Sequence, residues 1–337
     1  MEQGHIVTFG EVLLRFATPG ARLTVQCDAL DMVVGGAEAN VAAGLVALGH
    51  DVKMLTRLPT SLLGDKARAA LGAAGIDTAY VGRGTGRMGL YFLERGAGLR
   101  PSSITYDREG SVFATSRADQ FDFASALEGA RLLHLSGITP ALGHGGVALA
   151  KAAVAAANSA GVPICFDGNY RALLWDAWDS NPRAILTDLM QSATVMIGNH
   201  RDVSLLLGKV FSGDGSDRRR EAALAAFEAF PKLQLIASTA RRAVNSGHHR
   251  IAARLDARDA AHQTSEVDVS GIVDRIGTGD AFGAGVLHKW LHGAGLAEAA
   301  QSGLAYTVLK HTISGDMCLL GPQELDAFSV SGGDVRR

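Results

Sequence analysis

Cysteine is scarce: Cys27, Cys165 and Cys318 are the three in 337 residues, far apart and with no Cys-x-x-Cys pair. That excludes a disulfide framework and a cysteine zinc site, and it reads as reduced thiols in a reducing compartment. Excess charge is missing too, with a formal net charge of −2. No basic field is present to attract nucleic acid or an anionic membrane. The short run Arg218-Arg219-Arg220 lies between Asp217 and Glu221 and reads as a solvated helix start. Long apolar runs are lacking. The most apolar stretch, Val147 to Ala157, is broken by Lys151 and is too short to span a bilayer. Met1 to His5 has no basic region and leads straight into a strand, so no signal peptide and a cytoplasmic location are expected. Repeats, low-complexity tracts and linkers are also missing, although Ser329 to Arg337 reads as a loose tail. One unit over 1–337 is therefore expected, even though the length alone allows two domains.

Glycine is abundant, 41 of 337 residues against a usual share of about 7%. Many tight turns and close backbone approaches to a ligand follow. Apolar strand patterns at His5–Phe9, Val52–Thr56, Leu132–Leu135, Pro163–Phe166, Thr194–Ile197 and Leu233–Ser238 are each followed by helical sequence. Examples are Ala37–Leu48, opened by Gly35-Gly36, Leu63–Ala74, and Leu142–Ala160. Such alternation predicts an α/β fold with a mostly parallel central sheet and helices on both faces. Two stretches break the rhythm. Arg22–Val34 and Met88–Phe113 alternate like strands without intervening helices, and read as antiparallel strands apart from the main sheet. They form either a lid over a site or plain surface hairpins.

Three motifs could carry chemistry. Gly277-Thr278-Gly279-Asp280 lies between a strand and turn (Asp268–Ile276) and a helix (Ala281–Leu291). A glycine turn at a helix N-terminus presents free amides and the positive helix end to an anion. Asp280 is then either a base beside that anion site or simply an N-cap. Gly283 and Gly285 in the first turns are expected to leave room for a ligand. Gly35-Gly36-Ala37-Glu38-Ala39-Asn40 opens a second helix, with Asn40 one turn in and able to bond a polyol; close helix–sheet packing is the alternative. Asp167-Gly168-Asn169-Tyr170-Arg171 follows a strand, at the carboxyl end where open α/β sheets bind ligands.

Other patterns fail on context. Gly84-Thr85-Gly86-Arg87-Met88-Gly89 spells G-x-G-x-x-G, but a strand, Leu90–Leu93, follows instead of a helix. Gly208-Lys209 continues with Val210, so it is no phosphate loop. His288 and His292 have helical spacing, yet Lys289 stands where a metalloprotease needs Glu. They are placed instead at a helix C-terminus, where positive charge is favourable.

The segments Gly35–Asn40 and Asp274-Arg275-Ile276-Gly277-Thr278-Gly279-Asp280-Ala281-Phe282 resemble the two signatures of the ribokinase-like (PfkB) carbohydrate kinases, in order and over nearly the whole chain. Gly10–Arg15, Leu90–Glu94, Ile104–Arg108 and Lys310–Asp316 are similar to the 2-keto-3-deoxygluconate kinases of that family. The resemblance implies a ribokinase-like fold with a small β-strand lid, here over about 12–34 and 88–115. It implies ATP-dependent phosphorylation of the terminal hydroxyl of an acidic sugar, with Mg2+, and leaves a monovalent cation open. Asp280 is the implied base, and Gly277, Thr278 and Gly279 the anion hole. Gly35, Gly36, Asn40, Tyr91, Tyr106, Arg108, Arg171 and Asp316 are the implied sugar-binding residues. Asn199, Ser238, Arg241 and His311, with Gly277 and Gly279, are placed at ATP, and Asp202 at the metal. A homo-oligomer is also implied.

Two departures stand out. Asn199-His200-Arg201-Asp202 ends in Asp where the family often has Glu. Ser238-Thr239-Ala240-Arg241-Arg242-Ala243 lacks the usual Lys and spaced glycines, which leaves Arg241 to replace the Lys. A fructokinase or ribokinase, or a sugar or nucleotide sensor without catalysis, are the competing readings.

Overall fold

The computed structural model describes residues 4–328. The tail expected to be loose, Ser329–Arg337, lies outside them. The main sheet has ten strands and is parallel from Leu235–Asn245 through Val195–Ile197, Ile164–Asp167, Ala130–Ser136, His5–Phe9 and Val52–Pro59 to Val81–Gly84. Alternate residues explain why both faces are covered. In His5–Phe9, Ile6 packs into one core, while Val7 and Phe9 pack into the other. Leu235 and Ala237 against Ile236 divide the same way. A strand buried on both faces must be apolar almost throughout, and these are. Among the described residues no helix is long and apolar enough to cross a membrane. All three cysteines are free.

One end of the sheet departs from the expected alternation. The strand after Leu233 is followed by no helix. It runs on as Leu235–Asn245 and turns back antiparallel as His248–Asp256, which also pairs with Ala261–Gln263 and Val267–Ser270. The stretch Ser238–Ala243, where the sequence departs from the family's pattern, is therefore strand.

A second sheet of four strands orders as Asp31–Gly35, Leu13–Ala17, Gly89–Glu94 and Ser103–Asp107. Both rhythm-breaking stretches contribute to it, with two corrections. Leu13–Ala17 and Gly89–Glu94 pair parallel. Within Arg22–Val34 only the end is strand, and Thr24–Gln26 is a short 3-10 turn.

The glycines of the helix Thr278–Leu291 do something other than expected. A Cβ at Gly283 would sit 2.7 Å from Ile197 Cδ1, and one at Gly285 would sit 2.7 Å from the Ser302 carbonyl oxygen and 3.0 Å from Gly303 Cα. Neither leaves room for a ligand. They let the helix settle against the sheet and against its neighbour Leu296–Lys310, where Ser302 Oγ donates to Gly285 O at 2.8 Å. Backbone cannot withdraw as a side-chain tip can. Gly285→Ala should lower stability by about 1–3 kcal/mol, seen as a reduced melting temperature with turnover at low temperature largely kept. A wild-type melting temperature would show that this helix pair has slack.

Candidate active site

A cleft of about 810 Å3 opens at the carboxyl ends of the parallel strands and is walled on one side by the second sheet. Leu13, Tyr91, Ile104 and Tyr106 reach it from that sheet, and Arg108 from just past its strand Ser103–Asp107. Its opposite wall begins with Gly277, the N-cap of Thr278–Leu291, at φ 78°. A Cβ there would lie 1.8 Å from the Asp316 carbonyl oxygen, so both conformation and space demand glycine. Gly279 differs: a Cβ would meet nothing within 4 Å, so its bareness faces the open cleft. The amides of Thr278, Gly279 and Asp280 belong to the first turn, where an α-helix supplies no acceptor. With the positive helix end they are able to hold an anion.

Asp280 lies in that first turn and lines the cleft. Asn40 Nδ2 donates to Asp280 Oδ2 at 2.7 Å, while the buried Asn40 Oδ1 has no partner. Gly35 and Gly36 bring the helix Ala37–Ala47 close enough for this. A Cβ at Gly35 would fall 2.0 Å from Asp316 Oδ2, and one at Gly36 2.4 Å from the Glu11 carbonyl oxygen. Close packing and function thus share one turn. Burial pushes the Asp280 carboxyl up to about 6, opposed by the Asn40 bond and the charge of Arg171. Asp167, at the end of its strand, is raised chiefly by burial and then by Asp280, with Asp202 and Glu38 adding to it. Burial likewise raises Asp202, and raises Glu38 to about 7. Asp167, Asp202 and Asp280 line the cleft floor, and Glu38 is buried behind it, where Ser136 Oγ donates to its Oε1 at 2.6 Å.

Positive charge also lines the cleft. Arg171, Arg201, Arg241 and Arg275 all line the cleft, and none has an ion-pair partner among the described residues. Arg201 and Arg275 escaped the sequence reading; an arginine beside a glycine turn was the available signal. Ser238 and Arg241 reach the cleft from the strand Leu235–Asn245. Asn199 and Asp202 line it too, but both cap the helix His200–Leu207: Asn199 Oδ1 accepts from Arg201 N at 2.9 Å, and Asp202 Oδ2 from Asn199 N at 2.7 Å.

Four expected ligand residues are placed differently. Gly35, packed against Asp316, is outside the cleft lining. His311 is 1% exposed and outside the cleft lining, its Nδ1 bonded to the Thr307 carbonyl oxygen at 2.7 Å. Arg108 lines the cleft, but its guanidinium is bonded to Glu11, with Nε–Oε2 at 2.9 Å, and Ser111 donates to the other Glu11 oxygen. Asp316 is met by the Tyr91 hydroxyl and by Arg15, whose Nη1 lies 2.9 Å from Oδ1. Arg15 is fully buried and also donates to Asp274 Oδ2 at 2.7 Å. Asp274 in turn accepts from the amides of Ile276 and Gly315, fixing the approach to Gly277. Arg15, Asp274 and Glu11 were not singled out from sequence. A lone arginine in the apolar strand Leu13-Leu14-Arg15-Phe16-Ala17 was a signal, because a buried charge needs a partner.

The model of the pfkB family of carbohydrate kinases matches residues 3–317. The chain belongs to that family. It is 30% identical over 331 residues to the 2-dehydro-3-deoxygalactonokinase of Haloferax volcanii, covering 98% of both chains. The solved structure of the 2-dehydro-3-deoxygluconokinase of Thermotoga maritima superposes with a TM-score of 0.92 at 34% identity, covering 98% of this chain and 100% of that one. A fructokinase from Xylella fastidiosa with bound ATP shares the fold alone, at a TM-score of 0.76 and 21% identity, covering 96% of this chain and 97% of that one. This pfkB kinase is an ATP-dependent sugar kinase with a ribokinase-like fold, and the family implies Mg2+ with ATP.

The residues fit a magnesium ion. Burial raises the carboxyls of Asp167 and Asp202, and the charges of Asp280 and Asp202 raise Asp167 further, as expected of acids lacking a cation. They do not converge on one point, which suits Mg2+, an ion that keeps several waters and leans on substrate phosphates. Asp202 and Asp167 are the residues that would hold it. When bound, it neutralises phosphate charge.

The raised Asp280 pKa has a testable sign. Below about pH 6 its carboxyl is protonated and cannot accept a proton from a hydroxyl. kcat/KM, which reports the free enzyme, should fall on an acid limb near that value; the apparent pKa belongs to the coupled carboxyl group. A profile flat down to about pH 5 would contradict a buried base.

Proposed function

We propose that the chain transfers the γ-phosphoryl group of ATP to the terminal hydroxyl of an acidic six-carbon keto-deoxy sugar, 2-keto-3-deoxygluconate or its galacto epimer. The observation that carries the reading is Arg171. It is an exposed guanidinium in the cleft lining without an ion-pair partner, and its charge is felt by Asp280, Asp167 and Asp202. A neutral sugar offers it hydroxyl acceptors but no charge to pair. The 2-dehydro-3-deoxy-sugar kinases among its relatives support the same reading.

On this reading Asn40 holds Asp280 with its amide group and offers Oδ1 to a sugar hydroxyl. Asp280 orients the attacking hydroxyl and takes its proton late, because phosphoryl transfer passes through a loose transition state. The amides of Thr278, Gly279 and Asp280 stabilise charge on the transferred group. Arg201, Arg241 and Arg275 face the polyphosphate. Arg108 positions the lid through Glu11 and stacks over Tyr106, its guanidinium carbon 5.7 Å from the ring centroid. The second sheet serves as the lid that excludes water.

Asp280→Asn should lower kcat by about 10²–10⁴ with little change in ATP binding. A variant with near wild-type kcat would remove Asp280 from this role.

Substrate choice is tested by kcat/KM for 2-keto-3-deoxygluconate, 2-keto-3-deoxygalactonate, fructose and ribose. A carboxylate on a guanidinium gains charge-assisted bonds worth about 1.5–3 kcal/mol each, and each 1.4 kcal/mol is tenfold. The acids should lead by about 10²-fold. Arg171→Ala should erase most of that lead; because its charge also lowers the Asp280 pKa, turnover of every sugar should fall, and the acid-to-neutral ratio of kcat/KM is the readout. Fructose or ribose as the better wild-type substrate would favour the fructokinase or ribokinase reading. ATP binding without turnover of any sugar would favour the sensor.

A further inference from the structure

Three histidines meet at the end of the Thr278–Leu291 helix away from Asp280. His50 follows the helix Ala37–Ala47, just before the strand Val52–Pro59. His288 lies in the last turn of Thr278–Leu291, and His292 is its C-cap. His50 Nε2 and His288 Nδ1 lie 3.0 Å apart. The ring centroids are 5.1 Å apart for His50–His288, 5.3 Å for His50–His292 and 4.9 Å for His288–His292. One nitrogen from each falls within 4.8 Å of the others.

We propose that His50, His288 and His292 form a binding site for a divalent transition metal, zinc above all, with water in the fourth position. Three histidines and an open place are a complete donor set for tetrahedral zinc, with Zn–N near 2.0–2.1 Å. Two nitrogens on such an ion stand about 3.3 Å apart. The His50–His288 pair is already near that spacing. His292 has the farthest to move and is exposed at a helix end, where its ring can swing. Its Nδ1 bonds to the His288 carbonyl oxygen at 2.6 Å. A carbonyl accepts only, so Nδ1 carries the hydrogen and the lone pair stays on Nε2. Metal entry replaces the hydrogen shared by His50 and His288. That hydrogen moves to the outer nitrogen of its own ring, so three neutral imidazoles bind with no net proton release.

The surroundings suit this. Burial and mutual repulsion hold His50 and His288 at a pKa of about 4, so both are neutral ligands at physiological pH. Arg131 and Lys289 add positive charge, while Glu298 and Asp326 oppose it at His288. Lys289 is itself paired with Glu298 at 2.9 Å. The eight residues from Asp280 to His288 span about 12 Å of helix, so the site is separate from the cleft. It would tie together, at their C-terminal ends, the two helices that Asn40 and Asp280 join at their N-terminal ends.

The test uses untagged protein without nucleotide. Co2+ should bind one ion per chain with a visible absorption band of tetrahedral form, and Zn2+ should displace it. Zn2+ should also raise the melting temperature by a few degrees. His292→Ala, at an exposed position that leaves the fold intact, should weaken Co2+ binding at least tenfold and remove the Zn2+ stabilisation, with sugar-kinase turnover unchanged. His262→Ala is the control and should change nothing. No one-to-one binding up to about 1 mM Co2+, or equal binding by wild type and His292→Ala, would overturn the proposal.

Discussion

Arg15 sits in the interior with a carboxylate on either side, and the shape of the cleft depends on that contact. It belongs to the second sheet. Asp274 and Asp316 belong to the turns that flank the anion site. Lys310 is buried nearby, and its charge is felt by both the Asp316 carboxyl and the Asp280 carboxyl. Unpaired, each of these charges would cost several kcal/mol to bury. Together they hold one another, and they set how far the second sheet stands from Gly277. The Asp316 backbone then presses so closely on Gly277 that no side chain fits there. Sheet, clamp and anion turn form one chain of contacts.

That chain also explains why several residues with ligand-like chemistry serve structure first. Tyr91 bonds to Asp316, Arg108 to Glu11, and Asp202 to the amide of Asn199. Each still shows a face to the cleft. A site of this kind gains precision because its wall residues are held by partners before a ligand arrives. Groups without such partners stand out against them: Asn40 Oδ1, the first-turn amides, and four guanidiniums with no ion pair among the described residues.

The fold was legible because its strands are apolar throughout and its helices are bounded by glycine. His5–Phe9 and Thr278–Leu291 needed no tertiary knowledge. The hairpin Leu235–Asp256 was hidden because Ser238–Ala243 has the polar composition of a loop, and pairing with a distant strand decided it. The placing of Asp280 and Asn40 at the cleft was legible because a glycine turn before a helix brings the first turn close to whatever lies beyond it. The partners of Arg108 and Asp316 were not, since Glu11 and Arg15 lie 97 and more residues away and only folding brings them near. Glycine was the most ambiguous letter. Gly277, Gly279 and Gly285 sit within nine positions. One answers to backbone conformation, one to open space, and one to a neighbouring helix.

The departures from the family's nucleotide pattern can be weighed on the same physical terms. A lysine on a glycine loop is a mobile point charge on a mobile support. Here Arg241 stands on a strand paired along its length with His248–Asp256, and Arg275 stands on a turn braced by Asp274. Burial and the charge of Arg275 together make the Arg241 guanidinium harder to keep charged. On the proposed reading these two like charges, held on rigid supports, face a polyphosphate that would relieve both. The acidic floor has the opposite need, for a cation. A nucleotide carrying magnesium would then satisfy the two ends of the cleft at once, whereas either ion alone would satisfy one. On the proposed reading, the altered sequence after Ser238 keeps the electrostatic demand and changes only the scaffold that presents it.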